Sequence, residues 1–183
     1  MKRERIEYRS SYDNELIVAY YTQVLKPLAL IVILHGMAEH QKRYQLLVDE
    51  CAQNNFNVLT LDHRGHGESL YHKNIKGYFA DEGGYLKNLE DIHALVEKIN
   101  LKEKLPLVIF GHSMGSFFAR SFLKHYPHGV SALYLSGSPD YNPIVKIARI
   151  SAKITALFKG KQFRSVFLND QIYKKFNQSI ANP

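Results

Sequence analysis

The sequence predicts an α/β domain: a mostly parallel sheet flanked by helices, opened by an antiparallel hairpin. Three observations carry this. Several short runs of branched apolar residues show no polar alternation, as in strands buried on both faces. Amphipathic helical segments separate those runs. The resulting order of strand, helix, strand is that of a sheet whose parallel neighbours are joined by helical crossovers.

Taken in order, residues 6–22 read as two strands around the turn pair Asp13-Asn14, a hairpin signal. Residues 28–34 (LALIVIL) form the first buried strand. Tyr44, Leu47, Val48 and Cys51 then recur at helical spacing, and Asn54-Asn55 ends that helix. Phe56–Leu61 is the second buried strand, and the polar, Gly-rich stretch 62–80 is loop. Tyr85, Leu89, Ile92, Val96 and Ile99 mark an amphipathic helix over 84–100. Leu107–Phe110 is the third strand, 114–126 a helix closed by Pro127, and Val130–Leu135 a fourth strand expected to be buried.

Beyond Gly137-Ser138-Pro139 the character changes. Residues 143–159 place Ile144, Ile147, Ala148, Ile154 and Phe158 on one helical face and Lys146, Arg149 and Lys153 on another, a basic amphipathic helix. A boundary near residue 138 divides residues 1–137 from 138–183.

The chain has 183 residues, 45% apolar and 22% charged, which suits a globular domain and not a disordered one. Its single cysteine, Cys51, excludes an internal disulfide and a Cys-rich zinc site. The charged N-terminus has no apolar segment behind it, so it does not read as a signal peptide. No apolar run is long enough to span a membrane. The expected location is the cytoplasm, with a membrane surface as the second candidate. Residues 141–183 carry eight basic side chains and one acidic, so the whole net charge of +7 lies in the last quarter. A nucleic-acid binder and a membrane-facing lid share that asymmetry. No nucleic-acid motif is present, and the apolar face of the same segment asks for burial, so no nucleic-acid partner is expected.

The central motif is Gly111-His112-Ser113-Met114-Gly115, which follows a buried strand and opens a helix. A serine on such a turn is held in strained backbone geometry, and its neighbours must be small. The helix that starts at Met114 turns free N–H groups and a positive dipole end toward the same point. The Met114 N–H can therefore stabilise a developing oxyanion. The plainer reading is a Gly-rich helix start.

A second motif, His35-Gly36-Met37-Ala38-Glu39-His40, follows the first buried strand. The loop at that place supplies the second oxyanion donor in this architecture, here the Met37 N–H. The plainer reading is a tight loop whose histidines bind nothing. The third motif is Asp62-His63-Arg64-Gly65-His66-Gly67-Glu68-Ser69. A metal site through His63, His66 and His72 lacks a helical His pair or a Cys ligand. A dinucleotide loop lacks the third glycine, since position 70 is Leu. A loop braced by short polar contacts is the preferred reading.

Together these strings resemble the α/β-hydrolase fold. More narrowly, they resemble the monoacylglycerol lipase and lysophospholipase-like serine hydrolases, the serine aminopeptidase S33-type family. That family's typical H-G-x-x-E-H-x-x-R-Y, D-x-R-G-H-G-x-S and G-H-S-M-G appear as residues 35–44, 62–69 and 111–115. The likeness covers residues 6–140 well, and 138–183 resembles the start of the family's helical cap. It implies Ser113 as nucleophile, Met37 and Met114 as backbone oxyanion donors, and no cofactor or metal. Ser116 departs from the second glycine that the family more often has.

In this fold the triad runs Ser, then Asp or Glu, then His. After Ser113 the acids are Asp140 and Asp170, and no histidine follows either. His125 and His128 lie 12 and 15 residues past Ser113, about 18 Å or more along a helix. The triad Asp and His are therefore expected outside this chain, which reads as the N-terminal part of a hydrolase, truncated within its cap and inactive by itself. The expected activity of the whole protein is hydrolysis of carboxylic esters of single-chain lipids. The basic cap has two readings, peripheral membrane contact or a solvated basic face on a helix packed over the site. The alternative is a non-catalytic, hydrolase-like module that binds lipid or a partner. Oligomeric state is not set by the sequence.

Overall fold

The computed structural model describes residues 1–70, 75–138, 144–160 and 162–163. Ten main elements follow one another: β1 (Lys2–Arg9), β2 (Leu16–Gln23), β3 (Leu30–Leu34), α1 (Gln45–Gln53), β4 (Asn57–Leu61), α2 (Gly84–Glu103), β5 (Leu107–His112), α3 (Met114–His125), β6 (Val130–Ser136) and α4 (Ile144–Lys159). Short 3-10 turns occupy Gln41–Tyr44 and Gly67–Ser69. The chain divides into two compact units, Met1–Asp140 and Tyr141–Pro183.

In the first unit six strands form one sheet in the order β1-β2-β4-β3-β5-β6. β1 and β2 pair antiparallel from Lys2 opposite Gln23 to Arg9 opposite Leu16, around the turn that holds Asp13 and Asn14. β2 joins β4 antiparallel. β3, β4, β5 and β6 run parallel to one another. β3 is central, and Leu30, Val32 and Leu34 on it are fully buried.

The period of two along each strand sorts side chains between the two faces. Leu30, Val32 and Leu34 join Leu59, Leu61, Leu107 and Ile109 beneath α2 and α3, which contribute Leu89, Ile92, Leu95, Phe118 and Phe122. Ile33 and Val58 face the other way, against Val48 of α1 and half-buried Tyr44, Leu47 and Phe110. Each fully buried Leu, Ile or Phe stabilises the layer by about 1.5–3 kcal/mol. α2 ends where Lys104 turns left-handed at φ 50°, its N–H reaching the Asn100 carbonyl at 2.7 Å.

One expectation is corrected. β6 was expected to be buried on both faces, but Tyr134 is 63% exposed and Leu135 is exposed too. β6 ends the strand order and pairs only with β5 among the described residues, so its apolar side chains lack a second neighbour.

In the second unit α4 presents Ile150, Ile154, Leu157 and Phe158 at i, i+4, i+7 and i+8, all exposed. Lys153 is exposed, and the Lys159 ammonium lies 4.6 Å from the Phe163 ring centre. The side chains of Ile144, Lys146, Ile147, Ala148 and Arg149, named above for the two faces of this helix, lie outside the described residues. So does His72. Among the described residues no helix is long and apolar enough to cross a membrane.

Candidate active site

Parallel strands bring the loops that follow them to one edge of the sheet, where α/β folds bind ligands. The loops after β3, β4 and β5 carry the three motifs. The tightest turn is the last. β5 runs through Gly111 and His112, and α3 begins at Met114, so Ser113 alone makes the bend. Its backbone sits at φ 49°, ψ −113°, a region that costs a non-glycine residue on the order of 1–3 kcal/mol. The Ser113 N–H donates to the Ser136 carbonyl at 2.9 Å. Its carbonyl accepts from the Ser116 N–H at 3.0 Å and from the Ser116 hydroxyl at 2.6 Å. No hydrogen bond engages Ser113 Oγ among the described residues.

Small residues surround the bend for steric reasons. A Cβ on Gly111 would lie 2.5 Å from the Gly115 carbonyl oxygen, and one on Gly115 would overlap the Leu34 carbonyl. A Cβ on Gly36 would lie 3.3 Å from the Cβ of Ser113. The loop after β3 is therefore packed directly against the serine.

That loop is held by one carboxylate. Glu39 accepts hydrogen bonds from the Gly36 N–H and, at 2.7 Å, from the Tyr44 hydroxyl, and pairs with Arg43 at 3.3 Å. Burial works to raise the Glu39 carboxyl, but Tyr44, Gly36 and Arg43 outweigh it and hold its pKa below the ordinary value. With the Gly36 N–H committed to Glu39, the next donor along the loop is the Met37 N–H. Neither it nor the Met114 N–H has a protein acceptor among the described residues. Ala38, at φ 60°, turns the loop back.

Beneath the loop lies a chain of neutral imidazoles. His35 Nε2 accepts from the His63 N–H at 3.0 Å, which leaves His35 Nδ1–H to donate to the Gly36 carbonyl at 2.7 Å. His63 Nε2–H donates to the His35 carbonyl at 3.2 Å, and His63 Nδ1 accepts from Asn88 at 3.0 Å. Burial pushes His35 down to about 4 and lowers His63 and His66 as well. These tautomers spend the histidines on structure.

Arg64 is only 1% exposed and uses all five guanidinium N–H groups. Nε donates to Asp91 at 2.6 Å, one terminal nitrogen to Asp13 at 2.8 Å and the Phe79 carbonyl at 3.3 Å, and the other to Ser10 at 2.6 Å and Asp13 at 3.1 Å. Asp62 accepts from the N–H groups of Gln41 and Glu68, each at 2.8 Å. The loop after β4 is thus a polar brace, as the sequence suggested. Among the described residues no group of three or more His, Cys, Asp or Glu side chains is arranged to hold a metal.

The profile of the serine aminopeptidase S33 family matches residues 25–177. The chain belongs to that family. Within it, the chain is 29% identical over 154 residues to the monoacylglycerol lipase of Mycolicibacterium smegmatis, covering 76% of this chain and 50% of that one. It is 29% identical over 118 residues to a protein of Haemophilus influenzae named "Probable lysophospholipase L2", covering 64% and 36%. A crystallised thermostable carboxyl esterase from Bacillus coagulans superposes with a TM-score of 0.83 at 27% identity, covering 93% of this chain and 55% of that one. The chain therefore spans about half the length, or less, of these relatives, and its fold is that of α/β-hydrolases.

Seen as an S33 hydrolase, the chain brings Ser113 and the Met37 loop together at one sheet edge. His125 lies at the far end of α3, bonded to the Ser121 carbonyl at 2.8 Å. His112 turns to the Ser136 hydroxyl at 3.1 Å and is not bonded to Ser113. Several supporting residues escaped sequence reasoning. Asn88 and Asp91 lie on the inner face of α2, where a helical apolar pattern passes over them. Asp13 read only as a turn former. Gln41, 2% exposed, ties the loop to Val18 and Thr60. The one available clue was polar residues at positions where the helical period asks for apolar ones.

Proposed function

We propose that the whole protein is a serine hydrolase that cleaves carboxylic esters of single-chain lipids such as monoacylglycerols or lysophospholipids. The observation that carries this is Ser113, held in a strained bend with an unengaged hydroxyl and the Gly36–Met37 loop packed against it. In this reading Ser113 Oγ attacks the acyl carbonyl. The Met37 and Met114 N–H groups receive the negative charge on the carbonyl oxygen. A histidine outside this chain, oriented by an acid also outside it, takes the serine proton and delivers it to the leaving alcohol. Water then releases the fatty acid from the acyl-enzyme. No cofactor enters these steps.

The names of the relatives support the ester and lipid parts of this reading: a monoacylglycerol lipase, a protein named as a lysophospholipase and a carboxyl esterase. Residues 1–137 are then the N-terminal part of the core and 138–183 the start of a cap. The exposed apolar stripe of α4 and the excess of basic residues in 141–183 fit peripheral contact with anionic lipid surfaces from the cytoplasmic side. The test is hydrolysis of both lipid classes by the natural protein and by its Ser113→Ala variant. The reading requires turnover that the variant loses.

The second reading is a non-catalytic module that binds lipid or a partner. It is favoured by the lack of any histidine or acid bonded to Ser113 Oγ among the described residues. Lipid binding without turnover, unchanged by Ser113→Ala, is its signature.

A further inference from the structure

We propose that Ser116 is a positioning residue that aims the Met114 N–H at the developing oxyanion. This rests on the reading of Ser113 and Met114 given above. The peptide unit between Ser113 and Met114 is planar and trans, so its C=O and its N–H point in opposite directions. Whatever fixes the Ser113 carbonyl also fixes the direction of the Met114 N–H. Ser116 gives that carbonyl two bonds, its N–H at 3.0 Å and its hydroxyl at 2.6 Å, beside the first intrahelical bond that the carbonyl of a helix N-cap accepts. The N–H bonds belong to the helix start and any residue supplies them. The hydroxyl bond is specific to this side chain.

A serine that bonds the carbonyl three residues back is common in helices and ordinarily matters little. Here the accepting carbonyl belongs to a residue at φ 49°, ψ −113°. A strained residue relieves itself most readily by rotating the adjoining peptide plane, and that rotation swings the Met114 N–H away. The hydroxyl opposes it. The same Ser116 hydroxyl also lies 3.0 Å from the Ser138 hydroxyl, a contact that holds its rotamer. Ser116 is fully buried, so water does not compete. Ser138 stands just past β6, two residues after Ser136, whose carbonyl takes the Ser113 N–H. The end of β6 thus grips the bend at Ser113 N–H and, through Ser116, at the Ser113 carbonyl.

The experiment uses the natural full-length protein with Ser116→Ala, Ser116→Gly, Ser138→Ala and Ser113→Ala. It measures kcat and KM on a monoacylglycerol, melting temperature, and inhibition by an alkyl trifluoromethyl ketone, whose serine adduct carries an oxyanion. Removing an oxyanion donor costs about 10²–10³ in kcat, so misaiming one costs less. Both Ser116 variants are expected to lose roughly tenfold in kcat and in ketone affinity with KM unchanged. Ser138→Ala, which keeps the Ser116 bond but frees its rotamer, is expected to lose roughly threefold by the same reasoning. Unchanged kcat and ketone affinity in Ser116→Ala and Ser116→Gly would overturn the proposal, as would a loss confined to melting temperature or KM. If Ser113→Ala remains active, the underlying hydrolase reading is what fails. If Ser113→Ala is inactive while the Ser116 variants are unaffected, only the role of Ser116 fails.

Discussion

Gly115 and Leu34 touch backbone to backbone: a Cβ on Gly115 would overlap the Leu34 carbonyl oxygen. The first turn of α3 therefore rests on the end of β3, which sets how close the Ser113 bend comes to the loop at Gly36. Gly115→Ala has to push helix and strand apart, and neither contact atom is a side chain that can swing away. The expected cost is about 3 kcal/mol, the upper end for overpacking. Urea denaturation of the variant checks this, and a cost below about 1 kcal/mol would mean that the approach is loose.

Arg64 ties three distant parts of the chain together. Its guanidinium joins Ser10 and Asp13 in the hairpin turn to Asp91 on α2. Burial works to lower its pKa, but the Asp13 and Asp91 hydrogen bonds outweigh that and raise it. Arg64→Ala leaves Asp91 as a buried carboxylate with no cation, a change that costs about 3–5 kcal/mol. Arg64→Lys keeps the charge but not the five-donor fork, so its cost should fall between wild type and Arg64→Ala. Equal stability of Arg64→Lys and wild type in urea would show that charge alone matters.

The buried imidazoles make folding sensitive to acid. His35, His63 and His66 stay neutral in the fold, with His35 held at about 4 by burial. In the unfolded chain each takes a proton near pH 6.5. Between those values the unfolded state binds more protons, so stability is full above about 6.5 and falls as pH drops toward 4. His35 contributes up to about 1.4 kcal/mol per pH unit in that window, and the lowered His63 and His66 act in the same direction. Thermal melts from pH 7 to 5 should show a steep decline, shallower in His66→Asn. A flat profile would contradict the neutral assignment.

β6 carries no charged residue and no proline along Val130–Ser136, and its outer edge is unpaired among the described residues. Such an edge is a template for further strand pairing. The 183-residue chain prepared by itself is expected to self-associate at micromolar concentration, and a charge at the exposed Tyr134, Tyr134→Lys, should keep it monomeric. Light scattering after gel filtration decides, and a monomeric wild type at high concentration would count against an available edge.

The strands were legible because burial on two faces leaves uninterrupted apolar runs such as Leu30–Leu34 and Leu107–Phe110. The bend at Ser113 was legible because only small residues fit beside it. The burial of β6 was misjudged because its composition matches a central strand, and only topology reveals an edge. The partners of Arg64 and the tie between Ser116 and Ser138 could not be read either. They join residues tens of positions apart through geometry that no local period encodes. Glu39 lay in between: its place in the motif was visible, but its grip on the Gly36 N–H was not.

The central claim is that Ser113 is the nucleophile of a hydrolase larger than this chain. The most direct measurement is intact-mass and peptide mass spectrometry of the natural protein from its source cell after treatment with a fluorophosphonate probe. The account predicts one adduct, on Ser113, in a protein clearly heavier than the 21.1 kDa of this chain. An unmodified Ser113 in the native protein, or a natural mass near 21.1 kDa, would contradict it.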